Sequence, residues 1–111
     1  MSVDMGYRDR RLAQRLEDAE FRQQYERAER QVAQIDSLMQ MLDDLRESAG
    51  KSKAQLARDI DKNPAAVRRL FSSEVNPELK TVVALAEALD ADVVIRPRRG
   101  ARRRLRAAAA A

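Results

Sequence analysis

Gly50–Phe71 reads GKSKAQLARDIDKNPAAVRRLF. Two short helices joined by a tight turn account for this pattern. Leu56, Ala57, Ile60, Val67 and Leu70 fall at helical spacings and form two stripes able to meet. Ser52 stands where an N-cap accepts from the first amides of the helix behind it, and Asn63 does the same for the next. Pro64 follows Asn63 at the first helical position, where its missing N–H costs nothing. Helices that cross steeply need a small residue where they touch, and Ala57 fits that place. Four residues later the chain must turn through the left-handed region. Glycine is the cheapest residue there; Asp61 occupies the position and tolerates that region better than most. The polar positions between are mostly basic, six Lys or Arg against two Asp.

Upstream, no Gly or Pro occurs between Gly6 and Gly50. An early helix is expected over Tyr7–Leu16, with Leu12 and Leu16 inward. Asp18 is an N-cap candidate, with acids following at Glu20 and Glu26 to complement the helix dipole. Phe21, Tyr25, Ala28, Val32, Ile35, Met39 and Leu42 then recur at alternating steps of four and three. That is a heptad seam on one helix, or on two with a bend. It can pack on the rest of its own domain or be offered to a second chain. Asp36–Ser48 serves as the first helix of the domain, with Leu38, Leu42 and Leu45 on one side and Gly50 as its C′ residue.

Downstream, Ser52 caps a helix over Lys53–Ile60, and Asn63 caps one ending near Phe71–Ser72. Pro77 and Glu78 open a further helix over Leu79–Leu89, with Leu79, Val82, Val83, Leu85, Ala86 and Leu89 expected inward. Asp92–Pro97 (DVVIRP) is β-branched, ends in Pro and reads as one short strand. A lone strand needs a partner, across a dimer or on another protein's sheet edge. Arg98–Ala111 is low-complexity Arg and Ala, expected to be disordered or a frayed helix. The expected organisation is therefore an N-terminal helical extension (1–34), a core domain with its terminal strand (35–97) and a basic tail (98–111).

Composition narrows the function. Of 111 residues, 44% are apolar, enough for one core, while Gly and Pro number three each, which favours an all-α fold. No apolar run approaches the roughly 20 residues of a membrane span and no signal peptide opens the chain, so a cytoplasmic location is expected. Cysteine and histidine are both absent. Disulfides and thiol chemistry are excluded, and the commonest general base and metal ligand are missing. No enzyme activity, metal or cofactor is expected. Seven of the 22 Lys and Arg lie between Arg96 and Arg106; the remainder leaves 15 basic against 18 acidic residues, a net of −3 for residues 1–95. The basic Gly50–Phe71 segment is thus an island on an acidic body, and the tail makes the chain basic.

Such a helix-turn-helix can lay its second helix in the major groove of DNA while the first crosses the backbone. GKSKAQLA, RDIDKN, PAAVRRLF and NPELKTVVALAEALD, in that order, resemble the lambda-repressor/Cro-like (XRE) helix-turn-helix proteins over roughly Ile35–Pro97. LEDAEFRQQYERAERQ upstream resembles the extension of HigA-like antitoxins of type II toxin–antitoxin pairs, and DVVIRP resembles the strand that often ends that group. The resemblance implies a lambda-repressor-like bundle, a homodimer on a palindromic operator, autorepression, and neutralisation of a RelE/HigB-like mRNA endonuclease. Three positions depart from the family pattern. Lys53 replaces a phosphate-binding Gln, Asp61 the turn Gly, and Pro64 a frequent base-reading Gln.

The expected DNA-facing residues follow from the geometry of a recognition helix, whose first turns point into the groove. They are Asn63, Ala65, Ala66, Arg68 and Arg69, with Lys51, Lys53 and Lys62 on phosphates. Arg68 and Arg69 lie 100° apart and cannot both face bases. The family pattern assigns Arg68 to a guanine and leaves Arg69 for phosphate, while Ala65 can meet a thymine methyl. The arginine tail is read as a non-specific phosphate arm. Partner contacts are assigned to Phe21, Tyr25, Ala28 and Val32 on the seam and to Asp92, Val93, Val94 and Ile95 on the strand. The competing readings are a regulator without a toxin, and a helical interaction module whose basic face serves another anion.

Overall fold

Asp18 starts the longest element. Its Oδ1 accepts from Glu20 N at 2.9 Å and Phe21 N at 3.1 Å, and nothing interrupts the helix for the next 30 residues. The computed structural model describes residues 2–110, so the first residue of the extension and the last of the tail, Met1 and Ala111, lie outside the described residues. Its elements are α1 (Ser2–Arg15), α2 (Ala19–Ser48), α3 (Lys53–Asp59), α4 (Pro64–Phe71), α5 (Leu79–Ala88) and α6 (Ala101–Ala110). At 1.5 Å per residue, α2 is about 45 Å long, longer than the core it serves. It is a single helix and not a bent pair.

The core lies among the second half of α2 and α3, α4 and α5. Met39 and Leu42 meet Leu56, Leu70, Val82, Leu85, Ala86 and Leu89, and Ile60 and Phe71 pack on that cluster. Leu56, Val67 and Leu85 are fully buried. The heptad seam divides. Its last members, Met39 and Leu42, enter the core, while Val32 stays 56% exposed and Phe21 and Tyr25 lie half-buried along the stem. There Arg15 covers the Phe21 ring at 4.1 Å, and the Phe21 and Tyr25 rings lie 6.3 Å apart. The radius of gyration is 19.0 Å, against about 13 Å for a compact chain of this length. The difference comes from arms that leave the core.

Helix ends share one device. After α2, Lys51 N donates to Arg46 O at 3.2 Å and Gly50 N to Glu47 O at 3.0 Å, with Gly50 at φ +70°. This is a Schellman closure, which needs a left-handed residue at C′. The ends of α3, α4 and α5 close the same way, but with Asp61 (φ 55°), Ser73 (φ 62°) and Asp90 (φ 56°) in the left-handed place.

Three expectations are corrected. Leu79 and Val83 of α5 face solvent, 71% and 46% exposed. Leu79 is the first residue of its helix and stands outside the core, and Val83 lies on the flank away from Val82, Leu85 and Ala86. Leu45 is at the rim, 41% exposed. No strand occurs among the described residues: 92–97 is neither helix nor strand, because this chain offers no second strand to pair with it. The arginine tail is helical over α6 and buries no residue.

Candidate nucleic-acid interface

The turn between α3 and α4 is built from short local contacts. Ser52 Oγ accepts from Gln55 N at 3.0 Å, and Asn63 Oδ1 from Ala65 N at 2.8 Å, with Pro64 at the start of α4. Each satisfies an amide that the first turn leaves unpaired. Ala57 is completely buried where the two helices cross, and its carbonyl accepts from Lys62 N at 2.9 Å. The backbone of the turn is thereby tied to α3. Asp61 adopts the left-handed conformation that its position demands.

On α4, Val67 and Leu70 turn into the core, which leaves the opposite face outside. Ala65, Arg68 and Arg69 are exposed, Ala66 is half-buried, and Asn63 and Lys62 are exposed just ahead of the helix. Six of the eight residues assigned to DNA, Lys62 to Arg69, are therefore gathered on α4 and the turn leading into it. Arg68 shares a helical stripe with Ala65. Arg69 lies on the neighbouring stripe with Lys62 and Ala66, beside a groove whose other wall is Val75, Asn76 and Glu78. Small residues at 65 and 66 let the helix backbone approach a ligand closely, and the arginines stand on either side. The seventh, Lys53, sits at the first turn of α3, with its ammonium 5.9 Å from the Phe71 ring centre.

Lys51 is elsewhere. Its Nζ donates to Asp59 Oδ2 at 2.8 Å and to Ala88 O at 3.0 Å, joining the turn after α2 to α3 and to the last turn of α5. Asp59 Oδ1 accepts in turn from Gln55 Nε2 at 2.8 Å, and Gln55 Oε1 from Arg58 Nη2 at 2.8 Å. The hydrogen bonds from Lys51 and Gln55 hold the Asp59 carboxyl below the usual carboxylate range. Sequence reasoning counted Lys51 as a free cation and did not notice this network. The i, i+4 pair Gln55–Asp59 was its visible trace.

Of the residues assigned to a partner, Val93, Val94 and Ile95 border an apolar groove against Gln34, Ile35 and Leu38 of α2. Ala28 and Val32 are exposed farther up the stem. A hydrogen bond to Glu29, and the charge of that carboxylate, raise the Tyr25 hydroxyl above its ordinary pKa. Phe21 lies ten residues before Gln31, about 15 Å along the helix, so seam and tail segment form two patches. Among the described residues no group of carboxylates converges as metal ligands, and no helix is long and apolar enough to cross a membrane.

Residues 42–94 match a family model described as helix-turn-helix. The matched span runs from the buried Leu42 through α3, α4 and α5 to Val94, and it supports a DNA-binding regulator. No curated protein and no solved structure matches the chain.

Proposed function

We propose that the helix-turn-helix carried by residues 42–94 binds a palindromic DNA operator as a homodimer, each copy setting α4 in the major groove. The observation that carries this reading is the contrast across α4: Val67 and Leu70 are locked in the core while Ala65, Arg68 and Arg69 project outward. Arg68 takes guanine O6 and N7, Ala65 meets a thymine methyl, and Arg69, Lys62, Lys53 and Asn63 take phosphates or the groove edge. Ala66 gives the backbone room. Lys51 holds α3 and α5 in place, which supports the reading surface from behind. One short helix reads only a few base pairs, so two half-sites are needed for useful specificity. The α6 arm adds phosphate contacts without sequence preference. Such a regulator acts in the cytoplasm on the nucleoid, without a cofactor.

Arg68→Ala tests this directly. Affinity for the operator falls by about 1–3 kcal/mol while binding to random DNA is nearly unchanged. Equal losses on both DNAs, read by fluorescence anisotropy, would remove Arg68 from base readout.

The finer reading is an antitoxin that also neutralises a RelE/HigB-like endonuclease. Its support is the likeness of the N-terminal extension to HigA-like antitoxins, together with a stem whose Phe21, Tyr25, Ala28 and Val32 are not claimed by the core. A regulator without a toxin fits α4 equally well. Co-expression with the product of a neighbouring small basic reading frame separates them: no binding and undiminished toxicity sink the antitoxin reading and leave the DNA reading standing.

A further inference from the structure

Residues 92–97 leave α5 without making any backbone hydrogen bond among the described residues. Val94 is 78% and Ile95 94% exposed. Unpaired amides and carbonyls on a β-branched apolar run are a template for another strand. We propose that Asp92–Arg96 pairs antiparallel with the same segment of a second copy, so that a two-stranded ribbon joins the homodimer. This rests on the dimeric reading above and names the surface that makes it.

The sequence is complementary to itself about Val94. In that register Asp92 faces the second copy's Arg96, Val93 faces Ile95, and Val94 faces its own equivalent. Neither Asp92 nor Arg96 has an ion-pair partner among the described residues. Opposite charges across a strand pair are favourable, and like charges are not. A parallel pairing would oppose Asp92 to Asp92 and Arg96 to Arg96, so charge selects the antiparallel arrangement. Moving the two-fold to Val93 would set Arg96 against Asp90, whose left-handed backbone (φ 56°) takes it out of a strand, and moving it to Ile95 would set Asp92 against Arg98, beyond Pro97.

The backbone selects the same register. Facing residues of an antiparallel ladder alternate between hydrogen-bonded and non-hydrogen-bonded pairs. Ala91 and Pro97 face each other here. The Ala91 N–H is already held by Ala86 O at 2.8 Å, and Pro97 has no N–H. Both therefore suit a non-hydrogen-bonded pair. Alternation then makes the Asp92–Arg96 and Val94–Val94 pairs hydrogen-bonded, and these are residues whose backbone groups are free. The ribbon also covers exposed apolar surface. Val93 borders the same apolar groove as Ile35 and Leu38 of α2, and the second copy's Ile95 is set beside it over that groove. The sheet edge of an unrelated protein would not require the segment to be complementary to itself.

These 111 residues include no cysteine, so engineered thiols report cleanly. Val93→Cys and Ile95→Cys, made separately, mixed and mildly oxidised, cross-link several-fold more in the mixture than either does alone, since 93 faces 95 and neither faces itself. Sedimentation without DNA provides the second arm. Asp92→Arg or Arg96→Asp alone weakens the dimer roughly tenfold, by opposing like charges twice per ribbon. The double swap Asp92→Arg with Arg96→Asp restores it. Equal cross-linking in mixture and single samples overturns the register. A dimer indifferent to every charge swap overturns the ribbon but leaves dimeric DNA binding intact. A wild-type chain that sediments as a monomer at all concentrations overturns both, and a segment then protected only by a partner protein would mark it as that partner's strand.

Discussion

α4 and the 92–97 segment are both exposed, but one is finished and the other is not. Every first-turn device of α4 is supplied by its own chain: the Asn63 cap, the leading Pro64, and the anchors Val67 and Leu70 below. What it leaves outside is small or charged, and water satisfies both. The 92–97 segment has no cap, anchor or ladder, and its outward side chains are Val94 and Ile95. A surface already complete in one chain can wait for a polar ligand such as DNA. A surface lacking backbone partners and exposing apolar groups needs more protein. The difference lies in what each residue row leaves unsatisfied, and it assigns the two faces to different kinds of partner.

Substitutions on the two faces should differ most in folding stability. Leu56 of α3 is fully buried in the core cluster. Leu56→Ala should cost about 2–5 kcal/mol in urea unfolding, through lost burial and the cavity left behind. Ile95→Ala should stay within about 0.5 kcal/mol at concentrations where the chain is monomeric. Comparable losses at the two sites would show that 92–97 belongs to the monomer's core after all.

The next effect is smaller and of opposite sign. Asp61 holds a left-handed backbone at the turn that presents α4. Asp61→Gly should relieve about 1 kcal/mol of backbone strain, while Gly50→Ala, at φ +70° with open space around the new methyl, should cost about as much. A destabilised Asp61→Gly, by thermal unfolding, would show that the carboxylate does more than turn the chain.

These residues also mark how much was legible. Caps at Asp18, Ser52 and Asn63, the buried Ala57 and the left-handed Asp61 were readable because each is a local rule about a single residue type. Ser73 and Asp90 were missed as left-handed residues because neither is glycine and each lies where a helix was only expected to fade. Leu79 and Val83 were assigned inward because periodicity marks a stripe but not where the core stops. The seam from Phe21 to Leu42 was visible, but its division at Met39 depends on how far α3–α5 reach along α2. The expected strand at Asp92–Pro97 had the right composition and no partner, a matter of other chains and not of spacing. Among the DNA-facing residues, those on α4 followed from the helix itself. Lys51 could not be placed, since its acceptor at Ala88 is 37 residues away.

Lys51 and Lys62 sharpen the comparison within the basic set. Lys62 is exposed beside α4, whereas Lys51 spends its ammonium on Asp59 and Ala88. Lys62→Met should lower the salt dependence of DNA binding by about one phosphate contact, roughly 0.9 in the log–log slope, and leave stability alone. Lys51→Met should lower stability and leave the slope unchanged. Exchanged outcomes would move Lys51 to the DNA side.

The smallest expected effect is a pH dependence, and its sign follows from Asp59. Hydrogen bonds from Lys51 and Gln55 lower its carboxyl pKa in the folded chain from an ordinary 3.8. The folded state therefore binds this proton less readily than the unfolded state does. Its contribution to stability is present above about pH 4 and is lost as pH falls through the lowered folded value. Asn at this position keeps the shape and one acceptor but cannot ionise. The stability difference between the native chain and Asp59→Asn should thus be constant from pH 7 to about 5 and narrow below about 4, measured by urea midpoints in parallel. The side chain is partly open to water, so the change is modest and should weaken further in high salt. A difference that does not vary with pH would mean the Lys51–Asp59 contact acts through shape alone, and α4 would then rest on packing without that electrostatic tie.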